Sequence, residues 1–108
     1  MGIFSRSNKI SPQEAHRIME EGGKYVLLDV RTQEEYRQAH IKGAKLIPVD
    51  DLISRAAKEL PDKNARILVY CQSGARAGNA VKMLGRMGYT DVCSFGGIMN
   101  WPYETVKG

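Results

Sequence analysis

The chain has few of the residues that build metal sites and disulfide scaffolds. Its 108 residues include two cysteines, Cys71 and Cys93, and two histidines, His16 and His40. No C-x-x-C pair occurs, and the two histidines are far apart in the sequence. A zinc site needs three or four clustered ligands, and a small disulfide scaffold needs several cysteine pairs. The sequence therefore predicts a protein without a metal site and with reduced thiols.

Long apolar runs and blocks of like charge are also missing. No apolar stretch approaches the roughly 20 residues of a membrane-spanning helix, and the N-terminal residues MGIFSRSNKI lack the apolar segment of a secretion signal. The 16 basic residues are scattered, which argues against a nucleic-acid partner. The net charge of +4 supports no more than a mild preference for small anionic substrates. We therefore expect a cytoplasmic protein that binds neither membranes nor nucleic acids.

The rest of the sequence alternates between helical and strand patterns. Capping boxes begin helices at residues 11–14 and 32–35, and continuous apolar runs indicate buried strands at residues 25–30 and 66–70. Shorter patterns predict strands at 44–47 and 91–95 and helices at 51–60 and from Arg76 or Ala77 onward. This alternation predicts an α/β fold with a mostly parallel central sheet. We expect one domain over residues 11–104, between a loose N-terminal tail at residues 1–10 and a C-terminal tail at residues 105–108.

The segment Y-C-Q-S-G-A-R-A, residues 70–77, carries the groups needed for chemistry at a thiol. Cys71 follows an apolar strand, so it lies at the carboxyl end of the sheet, where ligands bind in folds of this class. Gly74 permits a turn that directs the backbone N–H groups of residues 72–77 and the start of the next helix into one concavity. Arg76 adds a charged, forked donor for an oxyanion or for the helix end.

These groups are sufficient to ionise a thiol. The pKa of a free cysteine thiol is about 8.5. Lowering this pKa by about two units requires about 2.7 kcal/mol of preferential stabilisation of the thiolate. Each hydrogen bond to a charged group contributes about 1.5–3 kcal/mol, and a helix terminus adds up to about 2 kcal/mol. Two or three amides are therefore predicted to keep Cys71 a nucleophilic thiolate. Cys93 has no glycine or cation beside it, and we interpret it as a core residue.

Four segments of the chain resemble rhodanese-type sulfurtransferases, and they follow one another in the order that the family has. The family's loop is C-x-x-G-x-R followed by a small residue, and C-Q-S-G-A-R-A matches it. The other three family patterns are D-x-R…E-Y, H-I-x-G-A…I-P and G-G-x-x-x-W, which residues 29–36, 40–48 and 96–101 resemble. One departure is Ala39, where the family usually has glycine before the histidine. We expect this difference to change only a local turn.

The resemblance implies a rhodanese-like three-layer fold, with helices on both faces of the sheet, and a two-step transfer of sulfane sulfur. Cys71 would take sulfur from thiosulfate or a similar small anionic donor as a persulfide, and cyanide or a thiol, including a protein thiol, would accept it. No metal or organic cofactor is implied, and we expect a monomer. The substrate-binding loop would consist of Gln72, Ser73, Gly74, Ala75, Arg76 and Ala77, with Asp29 and Arg31 shaping the pocket.

Other functions are compatible with parts of the sequence. A sulfur-carrier or regulatory module would hold the persulfide for a protein partner. The loops of cysteine-based phosphatases and arsenate reductases resemble this one but have five residues between cysteine and arginine. Here there are four, from Gln72 to Ala75, and the shorter loop suits a sulfur atom better than a phosphate. A Cys–His protease would need His40 as its base, and no third residue orients it. We interpret His40 as structural and Trp101 as a packing anchor.

Overall fold

The fold was analysed in a computed structural model that describes residues 8–108. The part of the expected N-terminal tail before Asn8 lies outside the described residues. Short 3-10 turns span Val49–Asp51 and Ile98–Asn100, and no helix within residues 8–108 is long and apolar enough to cross a membrane. The elements are α1 (Pro12–Glu20), β1 (Val26–Asp29), α2 (Gln33–Gln38), β2 (Lys45–Leu46), α3 (Leu52–Glu59), β3 (Ile67–Cys71), α4 (Ala75–Arg86) and β4 (Val92–Gly97).

The starts of α1 and α2 are set by side chains that cap the helices. The Ser11 hydroxyl accepts a hydrogen bond of 3.0 Å from the Glu14 N–H. At α2 the capping box is reciprocal, because the Thr32 hydroxyl accepts from the Glu35 N–H and the Glu35 carboxylate accepts from the Thr32 N–H. Each such cap satisfies N–H groups that have no partner within the helix. α4 begins at Ala75, slightly earlier than the sequence pattern predicts.

The four strands form one parallel sheet in the order β2-β1-β3-β4. Every residue of β3 is buried, since this strand lies inside the sheet and is covered on both faces. The prediction of an α/β fold with a mostly parallel sheet is confirmed. Because β3 lies between β1 and β4, the carboxyl ends of these three strands meet around Cys71.

Two apolar clusters, one on each face of the sheet, make the three layers. The first packs α3 and α4 against alternate strand residues, including Val69 and Cys71. The second packs Ala15 of α1 and the segment around Trp101 against the opposite face, which includes Tyr70. Side chains alternate between the faces of a strand. Cys71 is therefore directed to the same face as α4, the helix that follows it.

Both expected tails contact the domain where the structure describes them. The segment 8–10 runs parallel to β4, and the Ile10 N–H donates to the Ser94 carbonyl at 2.8 Å. Val106 and His40 form an antiparallel bridge with two hydrogen bonds of 2.8 Å. Residues 8–10 are therefore not loose, which corrects the expectation for this part of the N-terminal tail, because backbone groups of β4 pair with them. The domain boundaries themselves stay a prediction.

Candidate active site

The turn between β3 and α4 folds over the end of its own strand. Gly74 has φ of 118° and ψ of −19°, a left-handed conformation that glycine adopts without a steric penalty. This conformation directs the Gly74 N–H at the Cys71 Sγ, and the N–S distance is 3.0 Å. The local sequence therefore produces the predicted contact between a loop amide and the sulfur, because only glycine tolerates the turn that makes it.

Cys71 is almost enclosed by this turn, with 1% of its surface exposed. Within residues 8–108, the Gly74 N–H is the one loop amide that donates to Sγ, whereas the sequence analysis expected two or three. The side chains of Gln72, Ser73 and Ala75 are exposed around the mouth of the turn. The sulfur is thus held at the base of a short loop whose rim is open to solvent.

The start of α4 adds the partial positive charge of a helix N-terminus beside the sulfur. The first backbone hydrogen bond of this helix runs from the Gly78 N–H to the Gly74 carbonyl, at 2.9 Å. The N–H groups of Ala75, Arg76 and Ala77 precede it and have no acceptor within the helix. Ala77 contributes only its backbone to this site, because its side chain is buried in the core beneath α4. The assignment of Ala77 to the substrate-binding loop stays a prediction that concerns its backbone N–H.

Arg76 does not direct its guanidinium tip into the loop. Its Nη1 and Nη2 atoms donate to the two carboxylate oxygens of Glu35 at 2.8 and 2.9 Å. The hydrogen bond from Arg76 lowers the pKa of Glu35 to about 2, against the opposing effect of partial burial, and hydrogen bonds from Thr32 lower it further. The sequence analysis expected Arg76 to serve an oxyanion or the helix end. Both terminal nitrogens instead connect α4 to α2.

Asp29 and Arg31 form a second ion pair at the end of β1, and both side chains are almost fully buried. Arg31 donates to the Asp29 carboxylate through Nε at 3.0 Å and through Nη2 at 2.7 Å. Nη2 also donates to the Ala39 carbonyl at 2.7 Å, and Nη1 approaches the Gln72 Oε1 at 3.4 Å. The pair therefore contacts the first residue of the loop through Arg31, and the buried Asp29 lies behind Arg31.

The end of β4 supports the loop from the opposite side. A Cβ built on Gly97 would lie 2.0 Å from the Gln72 carbonyl oxygen and 2.6 Å from the Ser73 nitrogen. The Met99 N–H donates to the same Gln72 carbonyl at 3.2 Å. The sequence contains the Gly96-Gly97 pair but does not predict this contact. Its signal was the glycine pair itself, at the end of a strand that adjoins β3.

The other residues weighed from the sequence lie in structural positions. His40 stacks on Tyr36 with ring centroids 3.7 Å apart, and its Nδ1 is 2.9 Å from the Tyr36 carbonyl. Trp101 is buried against Phe95, as a packing anchor should be. Cys93 is only partly buried in β4, so it is not the enclosed core residue that the sequence analysis expected. His40 and Trp101 thus stabilise the packing of the domain.

A cavity of about 380 Å³ opens beside Gln72. The charged residues Arg31 and Glu35 line it, and so do the apolar and aromatic residues Ile98, Met99, Trp101 and Tyr103. Within residues 8–108, no group of three or more His, Cys, Asp or Glu residues is arranged to hold a metal ion. The cavity and the loop share Gln72, the residue next to Cys71.

Several known proteins are similar to this chain in sequence and in fold. The family profile described as a rhodanese-like domain matches residues 11–103. The chain is 42% identical over 81 residues to thiosulfate sulfurtransferase PspE of Escherichia coli strain K12, which covers 75% of this chain and 78% of that protein. It is 35% identical over 80 residues to the putative sulfur carrier protein YrkF of Bacillus subtilis strain 168, covering 73% of this chain and 42% of that protein.

Solved structures agree with this relationship. A rhodanese with anions from E. coli matches with a TM-score of 0.74 at 40% identity, covering 79% of this chain and all of that one. A rhodanese-like domain from Anabaena matches with a TM-score of 0.85 at 28% identity, covering 95% of this chain and 81% of that one. The fold and the sequence identity over most of the chain show that this protein belongs to the rhodanese-like domain family and is a sulfurtransferase.

Proposed function

We propose that the protein moves sulfane sulfur from thiosulfate, or a similar small anionic donor, to cyanide or a thiol through a persulfide on Cys71. The observation that carries this proposal is the position of Sγ, which accepts a hydrogen bond from Gly74 at the start of α4. Negative charge on a sulfur at this position is stabilised by the amide and by the partial charge of the helix. A second sulfur bonded to Sγ would face the same set of donors.

The first half of the reaction is a displacement at sulfur. The Cys71 thiolate attacks the outer sulfur of thiosulfate, an S–S bond forms at Sγ, and the S–S bond of thiosulfate breaks. Sulfite leaves with the electron pair of the broken bond, so charge and atoms balance without a base or an oxidant. In the second half, cyanide or a thiolate attacks the outer sulfur and the Cys71 thiolate is released. A covalent intermediate of this kind predicts ping-pong kinetics.

The residues around the sulfur have separate parts in this scheme. The backbone N–H groups of the loop and of the first turn of α4 bind the donor and the persulfide anion. Asp29 and Arg31 keep the wall of the pocket in place, and the Arg76 pair with Glu35 holds the start of α4 against α2. None of these side chains forms or breaks a covalent bond, so Cys71 is the single nucleophile of the proposal.

Intact-mass spectrometry tests the persulfide directly. After incubation with thiosulfate and desalting, we expect the wild type to gain the mass of one sulfur atom and to lose it on addition of cyanide. The variant Cys93→Ser, which removes the other thiol, should gain the same mass, whereas Cys71→Ser should gain none. Sulfur bound at Cys93, or no adduct in the wild type, would contradict the proposal. Turnover of an aryl phosphate in place of sulfur transfer would instead support a phosphatase.

A sulfur-carrier role is the second candidate, favoured by the similarity to a protein named as a putative sulfur carrier. In that role Cys71 would carry the same persulfide but receive it from a protein donor. The two candidates differ in the loading step. Rapid loading by thiosulfate with steady turnover to cyanide supports the enzyme. Loading only by a protein persulfide, with slow use of thiosulfate, supports the carrier.

A further inference from the structure

The cavity beside Gln72 has an apolar wall that sulfur transfer from thiosulfate to cyanide does not use. Its 380 Å³ is near the lower end of small-molecule sites, about 300–1,000 Å³. Ile98, Met99, Trp101 and Tyr103 line this wall. Cyanide and sulfite are too small to occupy such a space. An acceptor with an organic substituent would fill it.

The charged residues that line the cavity each form a salt bridge with a residue of opposite charge. Among the described residues that line it, the charged side chains are Arg31 and Glu35. Arg31 is paired with Asp29, and Glu35 is paired with Arg76. A neutral substituent therefore meets no unpaired charge that it would have to desolvate. The cavity is better suited to an uncharged organic group than to a second anion.

Met99 is the exposed member of the wall. Its relative exposure is 62%, although it is a large apolar side chain. Its backbone is attached to the loop, because the Met99 N–H donates to the carbonyl of Gln72, the residue next to Cys71. Methionine is flexible and polarisable, so it packs well against aromatic and branched groups of varied shape. Met99 is thus positioned to cover a substituent whose reacting atom lies at the loop mouth.

We propose that the acceptor of this sulfurtransferase is a small organic thiol with an uncharged apolar substituent, which packs against the wall that ends in Met99. The inference rests on the Cys71 persulfide proposed above. An S–S bond extends the reacting atom by about 2 Å beyond Sγ, so the outer sulfur lies closer to the rim than the buried thiol does. The thiol sulfur reacts there while its substituent occupies the cavity.

The transfer step balances without an added oxidant or reductant. The acceptor thiol gives its proton to solvent, its thiolate attacks the outer sulfur of the Cys71 persulfide anion, and the S–S bond to Sγ breaks. Sγ leaves with the electron pair as a thiolate, and the acceptor carries away the outer sulfur as an organic persulfide anion. The wall contributes by holding the substituent, so Met99 acts as a specificity-determining residue and takes no part in the bond changes.

Single-turnover discharge of loaded protein tests the proposal. Wild-type protein is loaded with thiosulfate, desalted and mixed with benzyl mercaptan, 2-mercaptoethanol or cyanide, and the loss of one sulfur mass is followed in time. Burial of one methylene group corresponds to about a fourfold change in a rate or equilibrium constant. We therefore expect discharge by benzyl mercaptan to be on the order of tenfold faster than discharge by 2-mercaptoethanol. The two thiols are unhindered alkyl thiols, so the substituent is the main difference between them.

Variants at residue 99 test whether the rate ratio of the two thiols depends on packing against Met99. We expect Met99→Ser to reduce the rate ratio of benzyl mercaptan to 2-mercaptoethanol by about fourfold or more, and Met99→Leu to restore it. The control Ile53→Ser removes an exposed apolar side chain on α3 and should leave the ratio unchanged. Equal rates for the two thiols, or an unchanged ratio in Met99→Ser, would overturn this inference while the persulfide stands. Failure of thiosulfate to load Cys71 would overturn the proposed function and this inference with it.

Discussion

At the scale of single residues, the site contains two arginine–carboxylate pairs with different surroundings. The Asp29–Arg31 pair is almost fully buried and contacts the loop through Gln72. The Glu35–Arg76 pair is about one-third exposed and joins α2 to α4. Removal of one partner from a buried pair leaves an uncompensated charge, whereas a partly exposed pair is solvated when broken. The exposed pair is therefore the better position for mutational tests.

The free energy of unfolding depends on pH through the ionisation of Glu35. Its pKa falls from an ordinary value near 4.5 to about 2 in the folded protein. The folded pKa is the lower one, so the stabilisation is present above roughly pH 5 and is lost as the pH falls towards 2. Because the pair is partly exposed, we expect it to contribute about 1 kcal/mol or less. The free energy of unfolding of wild type minus that of Glu35→Gln, measured in urea, should therefore be constant above about pH 5 and shrink below it.

The neighbouring residue supplies the control for this measurement. Glu34→Gln removes one exposed charge from the same helix without breaking the pair with Arg76. If Glu34→Gln gives the same pH dependence as Glu35→Gln, the effect reflects net charge, and the assignment to the Glu35–Arg76 pair is wrong. An NMR titration of the Glu35 carboxyl carbon checks the pKa independently.

At the scale of elements, the loop is held between α4 and the end of β4. α4 supplies the turn at Gly74, and β4 supplies Gly97, where a side chain would overlap the loop backbone. The φ of Gly97 is −139°, which any residue adopts. The need for glycine there comes from the close approach of Gln72 and not from the backbone conformation. The two glycines thus serve one loop for different physical reasons.

Replacement of Gly97 by alanine should displace the loop. The added Cβ would lie 2.0 Å from the Gln72 carbonyl oxygen, so the backbone must move. We expect a destabilisation of about 1–3 kcal/mol, typical of overpacking, and a loss of sulfur transfer that exceeds the loss of folded protein. Urea unfolding and a thiosulfate–cyanide assay measure the two effects.

Gly85→Ala is the matched glycine substitution. Gly85 is exposed within α4, and a Cβ there meets no atom within 4 Å. Alanine is favoured over glycine in a helix by up to about 1 kcal/mol, so this variant should be more stable than wild type and equally active. Normal activity in Gly97→Ala would show that the loop tolerates the movement and that its observed position is not required.

At the scale of the whole molecule, the strand order brings together segments that are distant in the chain. β1 and β4 flank β3, so the Asp29–Arg31 pair and Gly97 lie on opposite sides of Cys71. The C-terminal segment extends the same arrangement, since Val106 pairs with His40 and the Gly108 N–H donates to the Arg37 carbonyl at 2.9 Å. These contacts connect residues 106–108 to the last turn of α2 and to His40 after it.

Deletion of residues 105–108 should therefore destabilise the domain. It removes three backbone hydrogen bonds, each with a net contribution of about 0.5–1.5 kcal/mol. We expect a loss of about 1–3 kcal/mol in urea unfolding, because the bonds are partly exposed. Val106→Ala keeps the backbone bonds and should lose less. No change on deletion would instead support the predicted domain boundary at residue 104, with a loose tail beyond it.

Much of the fold and part of the site could be predicted from the sequence, because the relevant interactions are local. The capping boxes at Ser11 and Thr32 mark helix starts within a single turn. The apolar run before Cys71 predicts a buried strand, and Gly74 predicts the turn that contacts its sulfur. The looseness of residues 8–10 was predicted wrongly, since their sequence carries no signal for the backbone pairing with Ser94. The sequence likewise carries no signal for the pairing of Val106 with His40.

The sequence by itself determined the alternating elements and the cysteine loop, since capping, apolar periodicity and glycine conformation act over a few residues. Only the tertiary structure decided that Arg76 pairs with Glu35, 41 positions away, and that Gly97 must leave room for the loop. Both contacts follow from the strand order, which places the ends of β1 and β4 on either side of β3. That strand order depends on the packing of the complete chain. No short segment specifies it.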